Sequence, residues 1–413
     1  MKIRKKYLFY ILAFTSSIIA ALVSAVDATI SSIVITDPWI FSLSCFLVGI
    51  IISLAISLLL SIPVKGYSLG SKIIDPSFKR LRLLKREEIK YHLLAGMGNA
   101  VLTIGYLSLL SILGDPSVVL PFSQIVILYL LALESITEKN MPTLTEIQSS
   151  VTVTFGAILG SISLTGEINI ESLAIVFLII NPAWCVFSIY QRKLKLMRIN
   201  GRRNDAINIR FWNVVFACIF TAILVLLHDF LMNTTYLTAG IAASINHFKW
   251  VSLTMGLTFF SYVFYIRALG IGKASITQAV RASTVFFTIP FSLLIAHLNI
   301  IPPFSTDPVM ILLKFIGIVL VVLGIVSFAL TLVKAYIFIT AKTGIPIEET
   351  LEKIWDIPGV TSVAVTTGQY DFIVKIRTRT LVKGYERIIR RLEGIEGIKD
   401  YKWQSILKEW EEI

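Results

Sequence analysis

The sequence predicts a polytopic α-helical membrane protein, with ten transmembrane helices arranged as a 5+5 inverted repeat, plus a C-terminal α+β ferredoxin-like (βαββαβ) domain. Three observations predict it. Hydrophobic residues make up 55% of the 413 residues and mean hydropathy is +0.79, too apolar for a soluble globule. The charge-poor region stops abruptly: from Lys334 to Ile413, 13 Lys/Arg stand against 12 Asp/Glu. Basic residues in the first region crowd into every second loop.

A bilayer core of roughly 30 Å needs about 20 apolar residues per helix. That window gives spans 7–27, 39–62, 91–113, 117–137, 147–165, 171–190, 211–231, 250–269, 274–297 and 310–333. The first is read as a span and not a cleavable leader, since no small-residue cleavage pattern follows it. Lys/Arg number four before the first span, eight in 63–90, one in 138–146, seven in 191–210 and one in 270–273, whereas the alternate loops hold only Lys249. By the positive-inside rule both termini, and the domain after Lys334, are cytoplasmic at the cell membrane. The net charge of +12 is thereby a topology signal with some attraction to anionic lipid, and no nucleic-acid partner is expected. Cys45, Cys185 and Cys218 lie far apart inside spans and read as small buried hydrophobes. His92, His228, His247 and His297 lack metal-ligand spacing, and neither G-x-S-x-G nor GxxxxGK[ST] occurs. No enzyme activity, metal, cofactor or ATP-driven pumping is expected.

Two stretches resemble each other. Tyr106–Glu138 and Tyr262–His297 each open on Tyr, reach Leu-Gly (Leu113-Gly114, Leu269-Gly270), turn, and resume at Ser117 or Ser275. Ser149 and Gly156 match Gly317 and Gly324, seven apart in both. Five spans repeated with an odd count bring the second copy in from the opposite side, an arrangement of many secondary transporters. The expected units are 1–166, 167–334 and 335–413.

Polar stripes on apolar spans face protein or a water-filled cavity. Span 3 carries His92, Gly96, Asn99, Thr103 and Tyr106; span 1 carries Ser17, Ser24 and Asp27; span 8 carries Thr258, Ser261, Tyr262 and Tyr265; span 9 carries Ser275, Gln278 and Arg281. With Gln124 from span 4 and Asn181 and Trp184 from span 6, these are the candidate lining of a substrate cavity. Small and hydroxyl residues also serve plain helix packing. Arg281 has three readings: snorkelling to the inner interface, meeting an anionic substrate group, or pairing with Glu134. Asp27 is a coupling carboxylate or a wetted interfacial one. Asn181-Pro182 interrupts span 6 and frees a backbone carbonyl. Spans 5 and 10, with Gly156 and Gly160 in a GxxxG, suit close packing.

The stretches LSILGDPSVVLPF and ITEKNMPTLTEIQSSVTVTFGAILGS, and RALGIGKASITQAVRAS and FIGIVLVVLGIVSF, resemble the two copies of the drug/metabolite transporter superfamily (EamA type) over residues 7–333. That resemblance implies a central cavity and transport of a small metabolite. The family's Gly-Glu between the fourth and fifth helices is Thr137-Glu138 in one copy and Asn299-Ile300 in the other.

After Lys334, AYIFITA (335–341) reads as a strand, PIEETLEKIWD (346–356) as an amphipathic helix opened by Pro346, and Pro358-Gly359 as a turn. VTSVAVTT (360–367) and YDFIVKIRT (370–378) alternate as strands, LVKGYERIIRRLEG (381–394) is a helix stopped at Gly394, and 398–407 is a last strand. AYIFITAKTG, IPGV, TTGQYDFIVKI and EGIEGIKDYKW closely resemble the effector-binding domain of the Lrp/AsnC family. The resemblance implies dimerisation or higher oligomers and amino-acid binding at subunit interfaces, near Gly368, Tyr370 and Asp371. It also leaves open a purely assembling role. The sequence expectation is thus a secondary transporter of a small metabolite, an amino acid or related compound, regulated or assembled through a cytoplasmic amino-acid-binding domain. The alternative is a non-transporting membrane receptor of amino-acid level.

Overall fold

The computed structural model describes residues 5–113, 124–137, 144–161, 174–199, 201–298, 308–330, 333–378 and 388–405. The turn at Gly114–Ser117, the start of the fourth predicted span, Glu138, Asn299-Ile300 and the first turns of the predicted helix 381–394 lie outside these residues.

Apolar periodicity and caps set the helices. The chain forms α1 (Lys5–Ile33) and α2 (Pro38–Leu60), then the short hairpin β1 (Pro63–Val64) and β2 (Tyr67–Ser68) and the turn helix α3 (Leu69–Ile73). Asp37 caps α2 by accepting from the Trp39 and Ile40 N–H at 2.8 and 3.1 Å, with Pro38 at the first helical position. Next come α4 (Arg86–Leu113), α5 (Val126–Thr137) and α6 (Leu144–Ser161). A π-helical stretch, Ile175–Ile180, runs into α7 (Asn181–Leu196). The hairpin β3 (Arg198–Ile199) and β4 (Arg202–Arg203) leads into α8 (Ala206–Met232), α9 (Tyr236–Asn246), α10 (Phe248–Leu269), α11 (Ala274–Arg281), α12 (Thr284–His297) and α13 (Pro308–Leu330).

Six helices among the described residues are long and apolar enough to cross a membrane: Tyr7–Ile33, Pro38–Leu60, Arg86–Ile112, Ile175–Leu196, Ala206–Met232 and Phe248–Leu269. They turn large apolar side chains outward, among them Ile51, Leu54 and Leu58 on α2 and Ile223, Leu227 and Phe230 on α8. Apolar surface on that scale is compatible with lipid. Of the other four predicted spans, 117–137 is described only in part, 147–165 and 310–333 correspond to α6 and α13, and 274–297 is broken into two helices.

The chain divides into two compact units. One is residues 5–133 and 150–322; the other comprises 1–4, 134–149 and 323–413. In the first unit α6 meets α13 backbone to backbone. A Cβ on Gly156 would come 2.7 Å from the Gly317 carbonyl oxygen and 2.8 Å from the Val321 nitrogen, so these glycines are required by close approach.

The second unit carries β5 (Val333–Ala341), α14 (Ile347–Trp355), β6 (Val360–Val365), β7 (Phe372–Thr378), a helical segment at 388–393, and β8 (Ile398–Ser405). All strand pairs are antiparallel in the order β6-β7-β5-β8. Strand alternation explains the core. Ala335, Ile337 and Ile339 pair with Ile376, Val374 and Phe372 in register, all six are fully buried, and the helices contribute Ile354, Ile388 and Leu392. Gly359 takes φ +99°, a turn conformation favouring glycine.

Candidate functional site

A cavity of about 110 Å³ opens among α1, α2, α4, α7, α8, α10 and α11, room for several waters or a small solute. Of the predicted lining, Ser24, Asp27, Asn99, Thr103, Tyr106 and Gln124 border it, as do Trp184, Tyr262, Gln278 and Arg281. Ser17, Asn181 and Tyr265 do not; each supports a residue or backbone group behind the wall.

Arg281 ends α11, and the chain breaks there without glycine or proline. The Val285 N–H goes to the Ala282 carbonyl at 3.1 Å. The Arg281 carbonyl, which would have taken that N–H in a continuous helix, receives the Thr284 hydroxyl at 2.7 Å and the Ser17 hydroxyl at 3.3 Å. A helix break between apolar helices is tolerated where it is buried in protein or lines a cavity, and here neighbouring hydroxyls satisfy the freed carbonyl. Arg281 is 5% exposed, so its side chain does not snorkel. The guanidinium carbon lies 4.7, 5.1 and 5.4 Å from the ring centres of Tyr265, Tyr262 and Trp184, a cation held by aromatic faces. The Tyr265 hydroxyl donates to Ser188 Oγ at 2.7 Å, which fixes that ring. Among the described residues the Arg281 side chain makes no ion pair, and its Nη1 has no hydrogen-bond partner.

Arg210 is the residue that span prediction missed. It counted as a cytoplasmic loop cation because the apolar window opens at Phe211, but α8 begins at Ala206 and Arg210 is 1% exposed inside the body. Its Cζ stands 4.4 Å from the Tyr262 ring centre and its Nη1 donates to Asn213 Oδ1 at 3.3 Å. Asn213 also accepts from Asn99 Nδ2 at 2.9 Å. The stripe on α4 thus splits: Asn99, Thr103 and Tyr106 reach the cavity, whereas His92 stacks on Phe216 and Gly96 packs against it.

Asp27 is buried, not wetted at an interface, because α1 continues to Ile33, well beyond the predicted end. Thr254 Oγ1 donates to its Oδ1 at 2.5 Å. Gln278 Nε2 donates to Gln124 Oε1 at 3.2 Å. In the π-helical stretch the Val176 carbonyl accepts both the backbone N–H and the side-chain Nδ2 of Asn181, and the Phe177 carbonyl takes the Tyr129 hydroxyl at 3.1 Å. The interruption at Pro182 is therefore satisfied internally, with the Asn181 amide nitrogen used for it.

A second polar cluster joins the two most basic loops. Lys195 Nζ meets Asp75 Oδ2 at 2.6 Å and donates to the Asn204 carbonyl at 2.7 Å. Arg82 grips Glu88 through its two terminal guanidinium nitrogens, Nη1 and Nη2, at 2.7 and 2.8 Å. Asn204 bridges them, donating to Glu88 at 2.7 Å and accepting from Arg82 at 2.9 Å. Burial alone would raise Asp75, yet Lys195 and the N–H groups of Ala206 and Ser77 hold its carboxyl below the ordinary value. Asp205 caps α8 through the Asn208 N–H at 2.8 Å; burial pushes its pKa up to about 6 against the Asn208 hydrogen bonds, with Asp75 adding to the rise.

In the C-terminal domain Gly368, Tyr370 and Asp371 share the turn between β6 and β7. Asp371 Oδ2 accepts the Ala341 N–H at 2.7 Å and its own N–H goes to the Ile339 carbonyl at 2.9 Å. Thr366 Oγ1 donates to the Tyr370 carbonyl, and the Tyr370 ring lies 5.1 Å from Phe338. One carboxylate oxygen of Asp371 thus holds the turn to β5, and a Cβ on Gly368 would meet open space.

The class these features define is a body of apolar helices around a charged cavity, carrying a four-stranded α+β domain. Residues 334–412 match the Lrp/AsnC ligand binding domain family, and the sheet order agrees with that assignment. Over 78 residues the chain is 33% identical to the HTH-type transcriptional regulator LysM of Saccharolobus solfataricus, covering 19% of this chain and 54% of the regulator. The chain thus spans about half the length of that curated relative. A solved structure described only as a crystal structure of protein aligns over 77% of this chain and 95% of its own, with a TM-score of 0.46 and 14% identity, too distant to carry an argument.

Proposed function

We propose that the helical body is a secondary transporter of a small metabolite, an amino acid or related compound, regulated or assembled by the Lrp/AsnC-type domain. One observation carries the reading: a cavity inside apolar helices that holds buried guanidiniums with unpartnered nitrogens and a buried carboxylate. Charges placed there are costly to a fold, and intramembrane ionisable groups mark solute or ion pathways by default. The reading includes ten spans in a 5+5 inverted repeat of EamA type, cytoplasmic termini, and a homo-oligomer made through the C-terminal domain. In it the broken helix α11–α12 is the element that rearranges between inward- and outward-facing states. Only residues 331–332 separate α13 from β5, so effector binding that favours one transport state would bias the body.

The test is counterflow of a mixed labelled amino-acid pool into proteoliposomes, with full-length protein and a chain truncated after Lys334. Uptake by either form supports transport, and a difference between them makes the tail regulatory. No uptake by either, with insertion verified, favours the receptor reading.

A further inference from the structure

The charged groups bordering the cavity are Asp27, Arg210 and Arg281: two cations and one anion. None is neutralised by a protein partner among the described residues. Asp27 Oδ1 receives a hydroxyl from Thr254, a neutral donor. Arg210 has one long hydrogen bond, to the amide of Asn213, and its Nε is unpartnered. Arg281 is held by aromatic rings, and its Nη1 is unpartnered. Ring contacts use the positive charge and leave the N–H groups to donate. Both guanidiniums pack on the same ring, Tyr262, at 4.4 and 5.1 Å, so they are fixed as a pair.

A buried site with two forks and one carboxylate is completed by a ligand carrying two carboxylates and one ammonium. Each guanidinium offers planar, paired donors to a carboxylate, and Asp27 offers acceptors to an ammonium. The ligand's net charge of −1 offsets the site's +1, whereas a neutral zwitterion leaves a guanidinium buried and unpaired. We propose that the cavity binds an acidic α-amino acid of the aspartate or glutamate class, its two carboxylates on Arg210 and Arg281 and its ammonium on Asp27. The proposal deepens the transport reading and rests on the same cavity.

Equilibrium binding of labelled L-glutamate and L-aspartate to full-length protein in detergent reads the site whether or not the body turns solute over. The expected result is displacement by the unlabelled acid at least about tenfold better than by its amide, glutamine or asparagine, the order of one charge-assisted contact. Arg210→Gln and Arg281→Gln each weaken binding by about tenfold or more. Asp27→Asn removes the wild-type preference for glutamate over glutarate, which lacks the ammonium. Equal displacement by acid and amide overturns the proposal, and that comparison needs no variant to fold. Saturable glutamate binding unchanged in all three variants also overturns it, placing the ligand on the C-terminal domain. If acidic amino acids do not bind while neutral ones undergo counterflow, the transport reading stands and the acidic-ligand assignment falls.

Discussion

Lys195→Met removes the cation of the buried Lys195–Asp75 pair and keeps the aliphatic stem that lies over Gly270. The side chains are 8% and 3% exposed, so solvent screens the pair little. The mutation leaves the buried Asp75 carboxylate with the Ala206 and Ser77 N–H groups as hydrogen-bond donors and Arg267 as the cation still acting on it, and removes the donor to the Asn204 carbonyl. Breaking such a pair from one side costs about 3–5 kcal/mol. Adding Asp75→Asn recovers part of that, because no lone charge remains and the amide oxygen still accepts from Ala206. The pH dependence has a definite sign. In the wild type the Asp75 carboxyl is held below its unfolded value, so its stabilisation is present above that value and fades as pH falls through the folded one. In Lys195→Met the carboxyl loses the cation that lowers it, and the deficit shrinks as pH is lowered. Chemical unfolding in detergent from pH 4 to 8 measures both. A single mutant within about 1 kcal/mol of wild type, or a double mutant worse than the single, refutes the reasoning.

Asp205→Asn keeps the cap of α8, since asparagine caps as well as aspartate, and removes a carboxyl whose folded pKa is about 6. A raised carboxyl costs stability as pH climbs from about 4 to about 6, roughly 2–3 kcal/mol; the variant should lose that slope in the same unfolding series. Gly156→Val drives a side chain into the backbone of Gly317 and Val321 and should destabilise by about 1–3 kcal/mol, read as a lower midpoint of detergent or heat unfolding. Asp371→Ala leaves the Ala341 N–H without its acceptor and should cost about 1–3 kcal/mol, seen as faster amide exchange along β5 and the 366–371 turn.

The C-terminal domain was the most legible part of the chain. Apolar alternation in 335–341 and 370–378 marks the face that the sheet buries, and Pro358-Gly359 marks its turn. Stripes on apolar spans named most of the polar side chains that border the cavity, because helix period and polarity together name a face. Three features escaped for physical reasons. Arg210 sits one residue outside an apolar window, and hydropathy cannot tell a buried cation at a helix start from a loop cation. The break after Arg281 has no glycine or proline; tertiary hydroxyls from Ser17 and Thr284 make it possible, and a linear pattern does not show them. Thr254 binds Asp27 across 227 positions of chain, a pairing invisible to spacing. Asn181 shows the converse: named as cavity lining from the sequence, it lies off the cavity with its Nδ2 on the Val176 carbonyl.

Transport through the Arg281 cavity is tested most directly by solute counterflow in proteoliposomes holding equal amounts of wild type and Arg281→Gln, with insertion and folding of both verified. Loss of one buried, charge-bearing contact to the solute should lower uptake by about tenfold or more. Wild-type turnover in Arg281→Gln would contradict the cavity as the solute's path.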